Sequence, residues 1–333
     1  MFTSILAATD RIAAPDPVVV TAARLAAVHG ISWSIIHVLE SASLRSRQQV
    51  LHFRTGDVQP ATDAYLAEVD DALRRTYADL LAWAPPCELK IATGFPWEEI
   101  AARAARMQAD LIVMGPHAGT GGQPGALRTV GRIGSTVEGV ITREHAPVLI
   151  IREHPCRPKP AFKRILVGID FSASCECALS FAGELARFFK GTVDLFHMLP
   201  VPPYPKYSRA DYEADQAEAL ARLKTLAHQR LDGIRVAYHI RGGALPHQEL
   251  LTCAAECGAD ALVLGSHTRE TQGKWYAGST VEKVSAQAPC PVFVLSAADV
   301  CRASARSEAA DKTAASSNHA IRVFNKKRST DPS

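Results

Sequence analysis

Short apolar runs alternate along this chain with longer stretches whose apolar residues recur every three or four positions. The short runs predict strands near 4–9, 32–39, 87–92, 110–115 and 147–152, and again near 163–169, 192–199, 234–240, 260–265 and 291–296. Between them, helical periodicity covers 17–29, 62–83, 97–108 and 135–144, then 174–189, 211–231, 246–257 and 279–287. The stripe Ala178, Leu179, Ala182, Leu185, Ala186 and Phe189 illustrates the helical spacing, one face of a 3.6-residue period. Strands in regular alternation with helices predict βαβ units and parallel sheets.

The pattern is written twice. Ala109-Asp110-Leu111-Ile112-Val113-Met114-Gly115-Pro116-His117 matches Ala259-Asp260-Ala261-Leu262-Val263-Leu264-Gly265-Ser266-His267. Gly134-Ser135-Thr136-Val137-Glu138 matches Gly278-Ser279-Thr280-Val281-Glu282. The first strands end alike, in Asp10 and Asp170, and the second strands carry His37 and His197 in register. A repeat of this length predicts a duplicated domain rather than a solenoid: 1–152, a linker 153–162 with Pro155, Pro158 and Pro160, and 163–297. Residues 298–333 hold few large apolar side chains, a composition expected of a disordered tail.

Charge narrows the partners. Residues 298–333 carry seven Lys/Arg against four Asp/Glu, which accounts for the whole formal charge of +3, so the body is neutral by count. Neutrality argues against nucleic acid, whose backbone demands concentrated positive charge. No run approaches the roughly 20 apolar residues of a membrane span. Asp10 and Arg11 interrupt the first apolar run, so no signal peptide is expected and the location is read as cytoplasmic. The eight cysteines are scattered and are expected to be reduced thiols, Cys175 near a helix start included. Cys253 and Cys257 lack a matching ligand set, so no metal site is expected.

The chemistry concentrates where strands end. Gly265-Ser266-His267-Thr268, nine residues, and Gly278-Ser279 leave the carboxyl end of a strand, the edge at which open α/β sheets bind ligands. Glycine allows close backbone approach, and a helix start offers unpaired N–H groups to an anion. Ser279 also reads as an ordinary helix N-cap, Asp10 as a turn cap, and His37 and His197 as core or rim histidines.

An Asp at the first strand end, with Gly-x-x-Gly, nine residues and Gly-Ser, resembles the universal stress protein family, in both halves from about residue 2 to 297. The resemblance implies an α/β fold of two tandem open parallel five-stranded sheets with helices on both faces, Rossmann-like and adenine nucleotide alpha hydrolase-like. It implies ATP as ligand, with Mg2+ accompanying it. Asp170 and Met198 would then lie near the adenine, Gly265, His267 and Thr268 near ribose and phosphates, and Gly278, Ser279 and Thr280 at the terminal phosphates. In the first half Asp10, Val38, Gly115, Gly134 and Ser135 match. Two departures stand out: Thr268 and Ala118 occupy the second glycine position, and Gly115 to Gly134 spans 19 positions against 13 for Gly265 to Gly278. The resemblance further implies that the last strands of the halves, Val148–Ile151 and Val292–Leu295, meet in an intramolecular pseudo-dimer; a homodimer of whole chains is also open.

Three readings follow. The first is a stress-response module holding ATP, mainly in the second half. The second is a ligand-free interaction module, motivated by the departures from the loop pattern. The third is a slow ATPase; the sequence holds no nucleophile elbow, P-loop or paired-carboxylate site, so hydrolysis is expected to be weak at most.

Overall fold

The computed structural model describes residues 1–12, 14–43, 46–53, 55–116, 133–144, 146–152, 161–200, 208–266 and 278–296. The expected linker prolines and the tail 298–333 lie outside the described residues. In the first half β1 (Ser4–Ala8), α1 (Pro17–His29), β2 (Ser32–Ser43), β3 (Ser46–Leu51), β4 (Val58–Pro60), α2 (Asp63–Thr76), α3 (Ala78–Trp83) and β5 (Cys87–Gly94) lead to α4 (Pro96–Met107), β6 (Leu111–Met114), α5 (Ser135–Arg143) and β7 (Val148–Ile150). The second half runs β8 (Arg164–Gly168), α6 (Ala173–Phe189), β9 (Thr192–Pro200), α7 (Arg209–Arg230), β10 (Val236–Gly243), α8 (Pro246–Cys257), β11 (Ala261–Gly265), α9 (Ser279–Gln287) and β12 (Val292–Leu295).

Each half forms a five-stranded parallel sheet in the order β5-β2-β1-β6-β7 or β10-β9-β8-β11-β12. The two are one continuous sheet, because β12 pairs antiparallel with β7 through Val292 and Ile150, Phe293 and Leu149, and Val294 and Val148. All six are at most 1 % exposed. Near-continuous apolar strands suit a sheet covered on both faces. On one face, α4, α5, α8 and α9 share a core that includes Ile100, Val140, Leu250 and Val284. On the other, Phe2 of the first half meets Phe181 of the second, and Phe181 meets Phe293 at 5.2 Å between ring centroids.

Local signals set the helix ends. Asp16 caps α1 by accepting from the Val18 amide, and the left-handed Gly30 closes it. Ser208 and Asp211 form a capping box at α7. Three features depart from expectation. The stretch read as one helix over 62–83 breaks at Tyr77, whose fully buried side chain turns inward. An antiparallel extension, β3 with β4, lies beside the far end of β2 where no strand was expected. Cys177 is disulfide-bonded, which corrects the all-thiol expectation; Cys87, Cys175, Cys253, Cys257 and Cys290 are free.

Candidate functional site

In both halves the chain leaves the middle strand and its neighbours at the same sheet edge. β8 has β9 on one side and β11 on the other, so strand order reverses beside it, and β1 stands likewise between β2 and β6. Such a reversal opens a crevice beyond the carboxyl ends of the strands. Asp170, Met198, Gly265, Gly278, Ser279 and Thr280 gather at that edge of the second half, and Asp10, Val38, Gly115, Gly134 and Ser135 at that of the first. His267 and Thr268 lie outside the described residues, as do His117 and Ala118.

In the second half Asp170 accepts from the amide of Ser172 at 3.0 Å and from its hydroxyl at 2.5 Å, while the Ser172 hydroxyl caps α6 at Cys175. The Phe171 ring lies 4.6 Å from that of His197, with the Arg222 guanidinium 3.8 Å from its centre. Phe171 holds φ at +60°, a left-handed conformation costly for a bulky residue. His197 donates from Nδ1 to the carbonyl of Ile169 at 2.8 Å, the carbonyl being able only to accept. Met198 is half-buried against the core.

The two glycines of this edge differ. A Cβ on Gly265 would stand 2.5 Å from the Ser174 carbonyl carbon and oxygen and 2.8 Å from the Cys175 amide, so its bare backbone is what lets the start of α6 pack against β11. Gly278 holds φ at +85° with no described atom within 4 Å of a built Cβ. It is also the N-cap of α9, which corrects the reading of Ser279 as the cap: Ser279 is the first helical residue, and no side chain caps the helix. The opening amides of α9 therefore have no side-chain cap, at a helix start whose dipole favours negative charge.

The first half carries a different network. The Thr9 hydroxyl donates to Asp16 at 2.7 Å, the Arg11 amide donates to Thr9, and the Tyr77 hydroxyl donates to the Arg11 carbonyl at 3.1 Å. The surrounding chain, and after it the Asp16 carboxylate, push Asp10 up to about 6, although the residue itself is exposed to solvent. His37 donates from Nδ1 to the Thr9 carbonyl at 2.9 Å, as His197 does to Ile169, and burial pulls its pKa down to about 4. Gly134 caps α5 with an ordinary φ of −71°, and its amide donates to the Pro116 carbonyl. Beside it a pocket of about 270 Å3 joins Ser135 and Thr136 to Glu40, Trp97, Glu138 and Arg143. Asp10, Val38 and Gly115 do not line it. Trp97 slots against the missing Cβ of Gly139 and carries the Arg143 guanidinium 4.0 Å from its ring centre.

The model of the universal stress protein family matches residues 1–152 and again residues 161–296. The chain belongs to the universal stress protein family. A universal stress protein of Mycobacterium tuberculosis (strain ATCC 25618 / H37Rv) is 30 % identical over 137 residues, 39 % of this chain and 47 % of the relative. The Mycobacterium bovis universal stress protein matches to the same extent, and the aligned stretch spans about half the length of these curated relatives. Among solved structures, a universal stress protein from Archaeoglobus fulgidus DSM 4304 superposes with a TM-score of 0.58 at 22 % identity, over 88 % of this chain and 96 % of that one. A putative universal stress protein from Pseudomonas aeruginosa UCBPP-PA14 gives 0.59 at 17 % identity, over 90 % and 95 %. At these identities the likeness is one of fold.

Within this tandem universal stress protein, sequence reasoning missed Phe171, Arg222, Tyr77 and Trp97. Phe171 directly follows the Asp that was singled out, so its place was in view, but nothing in the sequence signals its positive φ. The i, i+3, i+4 patterns of α6, α7 and α4 gave burial and not the ring contacts. The Cys175 thiol, pushed up to about 11 by burial, is not an activated nucleophile. No helix is long and apolar enough to cross a membrane among the described residues.

Proposed function

We propose that this tandem universal stress protein is a nucleotide-binding module of the stress response, holding ATP with Mg2+ chiefly in its second half. The observation that carries the reading is Gly278: a glycine-only backbone conformation, directly ahead of a helix start that no side chain caps, at the reversal point of the sheet. The phosphates would meet the amides of Gly278, Ser279 and Thr280, with Gly265, His267 and Thr268 along the ribose and phosphates. Asp170 and Met198 would border the adenine. Occupancy would then change the surface presented beside the site. The protein works in the cytoplasm, and its two halves stand in for the subunits of a dimer. Equilibrium dialysis with ATP tests the site: the wild-type protein retains nucleotide and Gly278→Asp, which adds a negative charge where the phosphates would lie, does not. Equal retention by both overturns the assignment.

A second reading, a ligand-free interaction module, draws on a specific observation. The absence of a side chain at Gly265 is fully used by packing on α6, and Phe171 with His197 and Arg222 lays protein groups beside Asp170. Freshly purified protein that neither carries nor takes up nucleotide would favour it. Turnover of ATP that disappears in Gly278→Asp would instead favour a slow ATPase.

A further inference from the structure

β10 ends the sheet: it pairs with β9 along eight residues and, among the described residues, has no strand on its other side. An open edge presents a row of unpaired N–H and C=O groups, and proteins protect such edges or cover them. Here the pairing with β9 runs without a bulge and β10 contains no proline; near its end the Gly242 amide donates to the Tyr212 hydroxyl of α7 at 3.1 Å. Beside the edge, a groove of about 510 Å3 runs between β10 and α7, with Glu213, Ala217 and Leu220 on one wall and Tyr238 and Ile240 on the other.

α7 is long for what it covers. Of its 22 residues only Ala219, Leu223 and Ala227 are buried. Its exposed charges are sorted along its length: Asp211, Glu213, Asp215 and Glu218 precede Arg222, Lys224, His228 and Arg230, with Arg209 the one cation out of order. Arg222 and Arg230 turn toward the α6 side, onto Phe171 and Glu176. On the groove side, the three-and-four spacing that aligns Glu213, Ala217 and Leu220 continues to Lys224. Lys224 has no ion pair among the described residues, and the Glu213–Arg209 pair is exposed at both ends and so weakly held.

We propose that this edge receives a second copy of the same chain about a two-fold axis, β10 antiparallel to β10 and α7 antiparallel to α7. The charge order of α7 is what selects this occupant. A two-fold midway between Ala217 and Leu220 sets Glu213 opposite the partner's Lys224, and by symmetry sets Lys224 opposite the partner's Glu213, with Ala217 and Leu220 between the two pairs. A parallel arrangement would oppose like charges. Within one chain the β7–β12 junction already has this design, antiparallel strands with α5 and α9 packed into one core on the same face. The resulting sheet would be continuous through both copies. The proposal does not depend on the nucleotide reading.

Sedimentation velocity of the full chain between about 1 and 100 µM tests it, a range that brackets ordinary self-association. The wild type is expected to dimerise, and Lys224→Glu and Glu213→Lys are each expected to weaken the dimer by about tenfold or more. The double charge swap Glu213→Lys with Lys224→Glu is expected to recover affinity to within about threefold of wild type, since it restores both pairs. All these positions are exposed, so folding is not at stake, and circular dichroism of each variant checks that directly. A wild type that stays monomeric overturns the proposal. So does a dimer indifferent to both single changes, or a concentration-dependent series of longer polymers, which would mean an unlike edge had been joined.

Discussion

Asp10 follows the end of β1 and His37 lies midway along the neighbouring β2, and they answer to pH in opposite senses. Burial lowers His37 from 6.5 to about 4, only partly offset by its bond to the Thr9 carbonyl. The unfolded ring takes up a proton that the folded one refuses, so its contribution to stability is complete above pH 6.5 and is lost as pH falls toward 4. That gap corresponds to about 3 kcal/mol at most. The surrounding chain and Asp16 raise Asp10 from 3.8 to about 6, so its contribution is present below about 4 and lost as pH rises through 6. Urea unfolding separates them. His37→Gln, which keeps a donor for Thr9, should lose less stability than wild type between about pH 7 and pH 4.5. Asp10→Asn should exceed wild type at about pH 7.5 and match it near pH 3.5. A His37→Gln profile parallel to wild type would remove the buried-ring argument. In the sequence, both residues were visible as partners in the repeat, and His37 as a core or rim histidine. Their titration was not visible, because it depends on the nearness of Asp16 and the depth of packing.

At the level of the elements, the periodic helices and apolar strands of both halves were legible to within a few residues. The reason is that a sheet buried on both faces writes its inner strands as nearly unbroken apolar runs, whereas the outer β5 and β10 mix in Glu88, Lys90, His239 and Arg241. The β3–β4 extension was not legible. Ser46-Arg47-Gln48-Gln49 is polar and exposed where described, and it is held by pairing with β2 and by Arg47 reaching Glu98 and Glu99 rather than by an apolar face. The loop glycines illustrate a second limit, since one residue type serves two purposes there. Gly265→Ala would drive a methyl into the backbone of α6, where neither side can yield cheaply. We expect it to cost about 2–3 kcal/mol or more. Gly278→Ala meets no atom of the described residues and is strained only by its φ, about 1–2 kcal/mol. Chemical denaturation of the two variants measures the difference, and equal losses would mean that the approach of α6 to β11 is not what Gly265 serves.

For the molecule as a whole, the junction between halves decides how it unfolds. β7 and β12 supply the central pairing, and two further bonds cross reciprocally: Arg152 donates to the Gln287 carbonyl at 3.0 Å, and Ser296 donates to the Glu144 carbonyl at 2.7 Å. Each strand's trailing residue thus reaches the last turn of the other half's helix, where unpaired carbonyls remain. Phe293, fully buried, packs on Phe162 and Phe181 and pairs in register with Leu149. Truncating it should cost about 3–5 kcal/mol. Of the four tryptophans only Trp275 belongs to the second half, so Trp275→Phe leaves Trp33, Trp83 and Trp97 as reporters of the first half alone. In that background Phe293→Ala should move the fluorescence midpoint of the first half as far as it moves the helix signal of the whole chain. A first-half transition that stays in place while the helix signal splits in two would mean the halves are independent domains sharing an edge. A joint shift would mean that strain arising in one half is felt as stability in the other, which is the physical requirement for any ligand in one half to be sensed across the sheet.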